Sequence, residues 1–192
     1  LFRSDFFLYD LSWVSFCEGR LDAPAIYAAT GIAVEDIESL RRAIEALFAE
    51  HGPLAIAVKS QHAYERTLLW EERSDADAER VLQRHLAGEE LSEGARLCLG
   101  DWCMARGVEQ AAAHNLPFKI HTGYYAGTGR MPVERIRPGH LCGLLMRYPQ
   151  ARFVLMTYTS NIGRWVTQHR LAYTNLGMNG VVSMDQPLWY PT

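Results

Sequence analysis

The chain has 192 residues, 48% of them hydrophobic, enough for one core and within the range of a single globular domain. Its 19 Lys and Arg stand against 22 Asp and Glu, a formal charge of -3, with no basic block along the chain, which argues against a nucleic-acid role. No apolar run approaches the roughly 18 residues of a membrane span, and the opening LFRSDFFLYD lacks a charged segment followed by an apolar one, so a soluble, cytoplasmic protein with no membrane partner is expected.

The four cysteines, Cys17, Cys98, Cys103 and Cys142, contain no Cys-x-x-Cys pair and read as reduced, mostly buried thiols. The sequence starts at Leu1 and runs almost at once into an apolar stretch, so it is expected to begin partway into a domain. FFLYDLSWVSF, residues 6–16, reads as a buried strand running into a loop.

Residues 34–50 place Val34, Ile37, Leu40, Ile44, Leu47 and Phe48 at steps of three and four, with acids early and Gly52-Pro53 as the stop, which predicts an amphipathic helix. PLAIAVKS follows directly, too short for a helix and apolar on both sides until Lys59, as expected of a strand covered by helices. Helical stretches are then predicted over 75–86 and 92–114, followed by the strand FKIH at 118–121. After a glycine loop, Pro132 opens a short helical piece, Pro138-Gly139 interrupts it, and HLCGLLMRYP adds a turn or two before the strand ARFVLM. Strands separated by helices and buried on both faces imply a parallel α/β sheet, either doubly wound or closed as a barrel. Beyond Met156 the chain turns rich in Thr, Asn, Gly and aromatics, with RWVTQHRLAY hinting at a helix and GVVSM at a strand, so residues 157–192 are set apart as a divergent C-terminal segment of uncertain structure.

Alternation in PFKIHTG puts Lys119 and His121 on one face and Phe118 and Ile120 on the other, and in PLAIAVKS it groups Ala55, Ala57 and Lys59 against Leu54, Ile56 and Val58. Parallel α/β folds build their sites at the carboxyl ends of strands, where both His121 and Lys59 fall. An imidazole there suits a zinc ligand or general base, with a backbone-bonded core histidine as the alternative. Lys59 reads as a grip for an anionic substrate, a Schiff-base nucleophile, a carboxylated bridge between metals, or a solvated side chain. Lys119, deeper in the barrel, is a substrate-binding candidate that needs an acid, for which Asp10 and Asp101 are available. His62 and Arg66, four residues apart, are substrate-binding candidates, with solvated surface as the alternative. Tyr124 and Tyr125 in GYYAGTG are candidates for stacking or hydrogen bonding over the site; no Lys-Ser or Lys-Thr follows the glycines, so the loop is a poor phosphate cradle. His85, His114 and His140 have no matching acid or Cys spacing and read as structural.

With AVKSQHAYERTL, PFKIHTGYYAGTGRMPVERIRPGHL and MRYPQARFVLM, residues 1–156 resemble the amidohydrolase superfamily of metal-dependent TIM-barrel hydrolases, in the branch with decarboxylases and uronate-isomerase-like proteins. The resemblance implies an incomplete (β/α) barrel, about strands 3 to 6 of eight, since a whole barrel takes about 250 residues. It also implies a divalent metal, zinc or manganese, with His121 as a ligand from the fifth strand and Lys59 as a catalytic residue near the end of the fourth. The family's paired His-x-His has no counterpart, the sixth strand is followed by Thr157-Tyr158-Thr159 in place of a histidine, and Asp185 is the nearest match to the last strand's aspartate.

The expected function is a metal-dependent hydrolase acting on a C–N or C–C bond of a small polar substrate, or its inactive incomplete form. The alternatives are a non-catalytic half-barrel that self-associates through exposed sheet edges, and a Schiff-base lyase using Lys59 or Lys119.

Overall fold

In the computed structural model, residues 9–122 and 133–156 are described. The elements run β1 (Tyr9–Ser12), α1 (Val14–Cys17), α2 (Ala23–Thr30), α3 (Ile37–His51), β2 (Ala55–Ser60), α4 (Asp75–Leu86), α5 (Glu93–Ala113), β3 (Phe118–His121), α6 (Cys142–Arg147) and β4 (Phe153–Met156). Single 3₁₀ turns fill Gly52–Leu54, His62–Tyr64, Val133–Ile136 and Pro138–Leu141.

Local chemistry fixes most helix ends. Asp36 caps α3 in a box with Ser39, so the helix starts at Ile37 and Val34 is buried ahead of it. Ser74 caps α4, whose first turn carries Asp75 and Asp77 and whose last carries Arg84 and His85, matching the helix dipole at both ends. Ser92 and His114 flank α5. The periodicity over 23–30 is weak and gives no helix in the sequence reading; the structure forms α2 there between the Asp22 cap and Gly31, which ends it in the left-handed region at φ 70°.

The four strands are all parallel and stand in the order β1-β2-β3-β4. A doubly wound sheet reverses its strand order at a switch point, whereas a barrel adds each new strand beside the last. This is part of a (β/α) barrel.

Register decides the two faces. Val58 pairs with Phe118 and Phe118 with Phe153, while Ser60 pairs with Ile120 and Ile120 with Leu155. These positions lie on the helix side, where Phe118, Ile120, Phe153 and Leu155 join Leu40, Ile44, Phe48, Leu99 and Trp102 in the core. Burying each such side chain contributes about 1.5–3 kcal/mol. On the other face Lys59 pairs with Lys119, and His121 with Met156. Ala57, fully buried, lies there too, so small residues and a terminal lysine line the interior as alternation predicts.

Candidate site at the strand ends

Interior-facing positions on three strands deliver the polar groups. Asp10 comes from β1, Lys59 from the end of β2, and Lys119 and His121 from β3. Lys119 Nζ donates to both carboxylate oxygens of Asp10, at 2.8 and 3.1 Å. These residues are two strands apart, so the lysine stem reaches across β2, where Ala57 pairs with Asp10 in register. Of the two acids open to Lys119 in the sequence, Asp10 is the partner; Asp101 is bound to Arg66 and Arg73. Lys59 likewise reaches over β3 and donates to Met156 Sδ on β4.

His121 is only 3% exposed. Its Nε2 lies 3.2 Å from the hydroxyl of Tyr64, and the two rings are 4.9 Å apart at their centroids. Tyr64 stands on the 3₁₀ turn that leaves β2, so a residue from one strand-end segment meets the last residue of the next strand. Thr122, the following residue, closes the end of β3 onto β4 by donating its N–H and hydroxyl to the Met156 carbonyl, at 2.7 and 3.1 Å.

Lys59, Lys119 and His121 thus share the interior face, Lys119 reaching toward β1 and Lys59 toward β4. His62 and Arg66 are elsewhere and neither is solvated. His62 is fully buried, with Nδ1 2.8 Å from Ser60 Oγ, and burial with the nearby Arg66 charge pushes its pKa well below the usual histidine value, so it is neutral. Its Nε2 has no hydrogen-bond partner among the described residues. Arg66, 4% exposed, donates Nε to the Thr67 carbonyl, Nη1 to that of Cys17, and Nη2 to the Leu69 carbonyl and to Asp101 Oδ1. Tyr124 and Tyr125 lie outside the described residues.

Of the histidines read as structural, His85 Nε2 meets the Leu21 carbonyl, His114 lies tilted against the Phe48 ring, and His140 Nδ1 is 3.2 Å from Thr67 Oγ1. Sequence reasoning passed over Tyr64. Its one signal was position, five residues beyond Lys59 in the segment that leaves a strand end.

Among the described residues no group of three or more His, Cys, Asp and Glu is gathered to hold a metal ion. His121 turns Nε2 toward Tyr64, and Asp10 is bound to Lys119, so these residues do not form a metal centre by themselves. A catalytic zinc site usually takes three protein ligands, and the others would have to come from outside this set. No helix among the described residues is long and apolar enough to cross a membrane.

No family model matches the chain, and no curated protein matches it. Among solved structures it is similar to uronate isomerase from Thermotoga maritima, with a TM-score of 0.67 and 13% sequence identity over 95% of this chain. The chain spans 43% of that protein's length. At this identity the likeness shows the fold, and it agrees with the strand order: a four-stranded parallel part of a larger barrel.

Proposed function

We propose that the chain carries the strand-end groups of an amidohydrolase-type hydrolase acting on a C–N or C–C bond of a small polar substrate. The observation that carries this reading is the gathering of Asp10, Lys59, Lys119 and His121 on the interior face, with Tyr64 set against His121. In this reading Lys59 grips a polar or anionic substrate group, and the Asp10–Lys119 ion pair fixes the charge pattern of the floor. The Tyr64 hydroxyl meets His121 Nε2 and orients the ring. A divalent ion would polarise the substrate or activate water there, with His121 as one ligand and the remaining ligands supplied from beyond the described residues.

The hydrolase reading is favoured over a lyase at Lys119, because that lysine is tied to Asp10 as an ion, whereas Schiff-base attack starts from a neutral amine. The test is elemental mass spectrometry of the tag-free protein together with turnover screening of small amides and carboxylic acids, in the parent chain and in His121→Ala and Lys59→Ala. Both variants are expected to lose about 100-fold or more in kcat/KM while staying folded. Full activity in His121→Ala would overturn the proposal, and absence of both metal and turnover in the parent chain would favour the non-catalytic half-barrel.

A further inference from the structure

We infer that Arg66 and Asp101 are positioning residues for the Tyr64–His121 pair, acting from outside the strand mouth. Tyr64 lies on a one-turn 3₁₀ segment, and the backbone N–H of Arg66 donates back to the His62 carbonyl at 2.9 Å, so Arg66 closes that turn. Its guanidinium then holds three other places at once: the Cys17 carbonyl at the end of α1, the Leu69 carbonyl further along the same loop, and Asp101 on α5. The second oxygen of Asp101 receives the Glu71 N–H at 3.3 Å and Arg73 Nε and Nη2, each at 3.2 Å. One carboxylate, 1% exposed, therefore fastens the segment from Arg66 to Arg73 to α5, the longest helix among the described residues.

The same segment is tied onward to the residues after β3. Leu68 N donates to the Arg135 carbonyl at 2.8 Å, and Arg135 Nη1 donates to the Glu65 carbonyl at 3.2 Å. The segments that follow β1 and β2 thus meet at the Arg66 guanidinium, and the segment after β3 is joined to them through Leu68 and Glu65. The approach is built in: a Cβ at Gly100 would lie 2.3 Å from the Cys17 carbonyl oxygen and 2.9 Å from Arg66 Nη1. Gly100 lets α5 come close enough for the clamp to form.

A buried ion pair is weak evidence of stabilisation, because desolvation offsets most of the attraction and apolar replacements of similar volume are often neutral or better. What the pair supplies here is geometry. Four acceptors around one planar fork leave Arg66 a single orientation, and the turn bearing Tyr64 is fixed with it. The inference rests on the contact between Tyr64 and His121 and not on the proposed chemistry, so the two fail separately.

The experiment is NMR on the full chain with histidine and tyrosine rings labelled, reading the cross-relaxation between the Tyr64 and His121 rings at one fixed pH, with Tyr64→Phe and His121→Gln to assign the signals. The paired variant Arg66→Met/Asp101→Leu is expected to unfold cooperatively within a few degrees of the parent chain but to lose most of the ring-to-ring signal, by threefold or more. The single variant Arg66→Lys keeps the charge without the fork and is expected to show the same loss in a folded protein. A paired variant that folds and keeps the parent signal overturns the inference. If the paired variant does not fold, Arg66→Lys decides: retention of the signal there also overturns it.

Discussion

Lys119 on β3 and Asp10 on β1 meet at 2.8 Å above Ala57, joining two strands that are not neighbours in the sheet. Their side chains are 23% and 30% exposed, so the pair keeps contact with water. Asp10→Asn is expected to cost about 0.5–1 kcal/mol by leaving the ammonium with a neutral partner. Ala57→Leu fills the space beneath the pair and is expected to cost about 1–3 kcal/mol through overpacking. Urea unfolding of both variants checks these values, and a loss confined to Asp10→Asn would mean that the space above Ala57 is not filled.

The glycines of α5 should respond in opposite directions. A Cβ at Gly100 meets the Cys17 carbonyl oxygen at 2.3 Å and one at Gly107 meets Trp13 Nε1 at 2.2 Å, whereas one at Gly94 meets nothing within 4 Å. Gly94→Ala is expected to stabilise the fold by about 0.5–1 kcal/mol through helix propensity. Gly100→Ala and Gly107→Ala are expected to lower stability by about 2 kcal/mol or more, because backbone and a buried indole must shift. Thermal unfolding of the three variants reads both signs.

Buried, neutral His62 ties stability to pH. Its pKa is pushed below 6.5 in the folded chain, so the unfolded chain binds the extra proton first as pH falls. Stability should therefore be full above about pH 6.5 and decline below it, with a slope approaching about 1.4 kcal/mol per pH unit from this one group. The partly buried His140, also pushed below 6.5 by burial and Arg137, adds to the same slope. His62→Gln should flatten the dependence between about pH 5 and 6.5, measured by denaturant titration at several pH values; an unchanged slope would remove His62 as its source.

The cysteines should divide by burial. Cys17 is fully buried, its thiol pushed up to about 12 mainly by desolvation, which the Ser60 hydroxyl partly opposes; burial pushes Cys103 up as well. Cys98 and Cys142 are partly exposed. A thiol reagent at mild alkaline pH is expected to modify Cys98 and Cys142 in the folded protein, and Cys17 and Cys103 only after unfolding. Peptide mapping of the modified sites checks the pattern, and early labelling of Cys17 would contradict its packing.

Fold and faces were legible in the sequence because they rest on periodicity and local caps. The run from Ala55 to Ser60 is apolar over strand length, the run from Ile37 to His51 repeats at helical spacing, and alternation alone set Lys59, Lys119 and His121 apart from Phe118 and Ile120. The short α2 was not legible, since it depends on Asp22 and Gly31 at its ends more than on a stripe along its side. Pairings across the sheet were beyond reach for a different reason. Whether Lys119 takes Asp10 or Asp101 depends on strand order, and nothing local distinguishes the two acids. The same holds for Arg66, which read as a substrate-binding or solvated cation, whereas in the fold α5 and the Cys17 carbonyl close around it. Sequence by itself determined a parallel α/β chain with polar groups at its strand ends, because those features repeat along the backbone; only tertiary structure decided which groups meet, because contacts between distant residues exist only once the chain is folded.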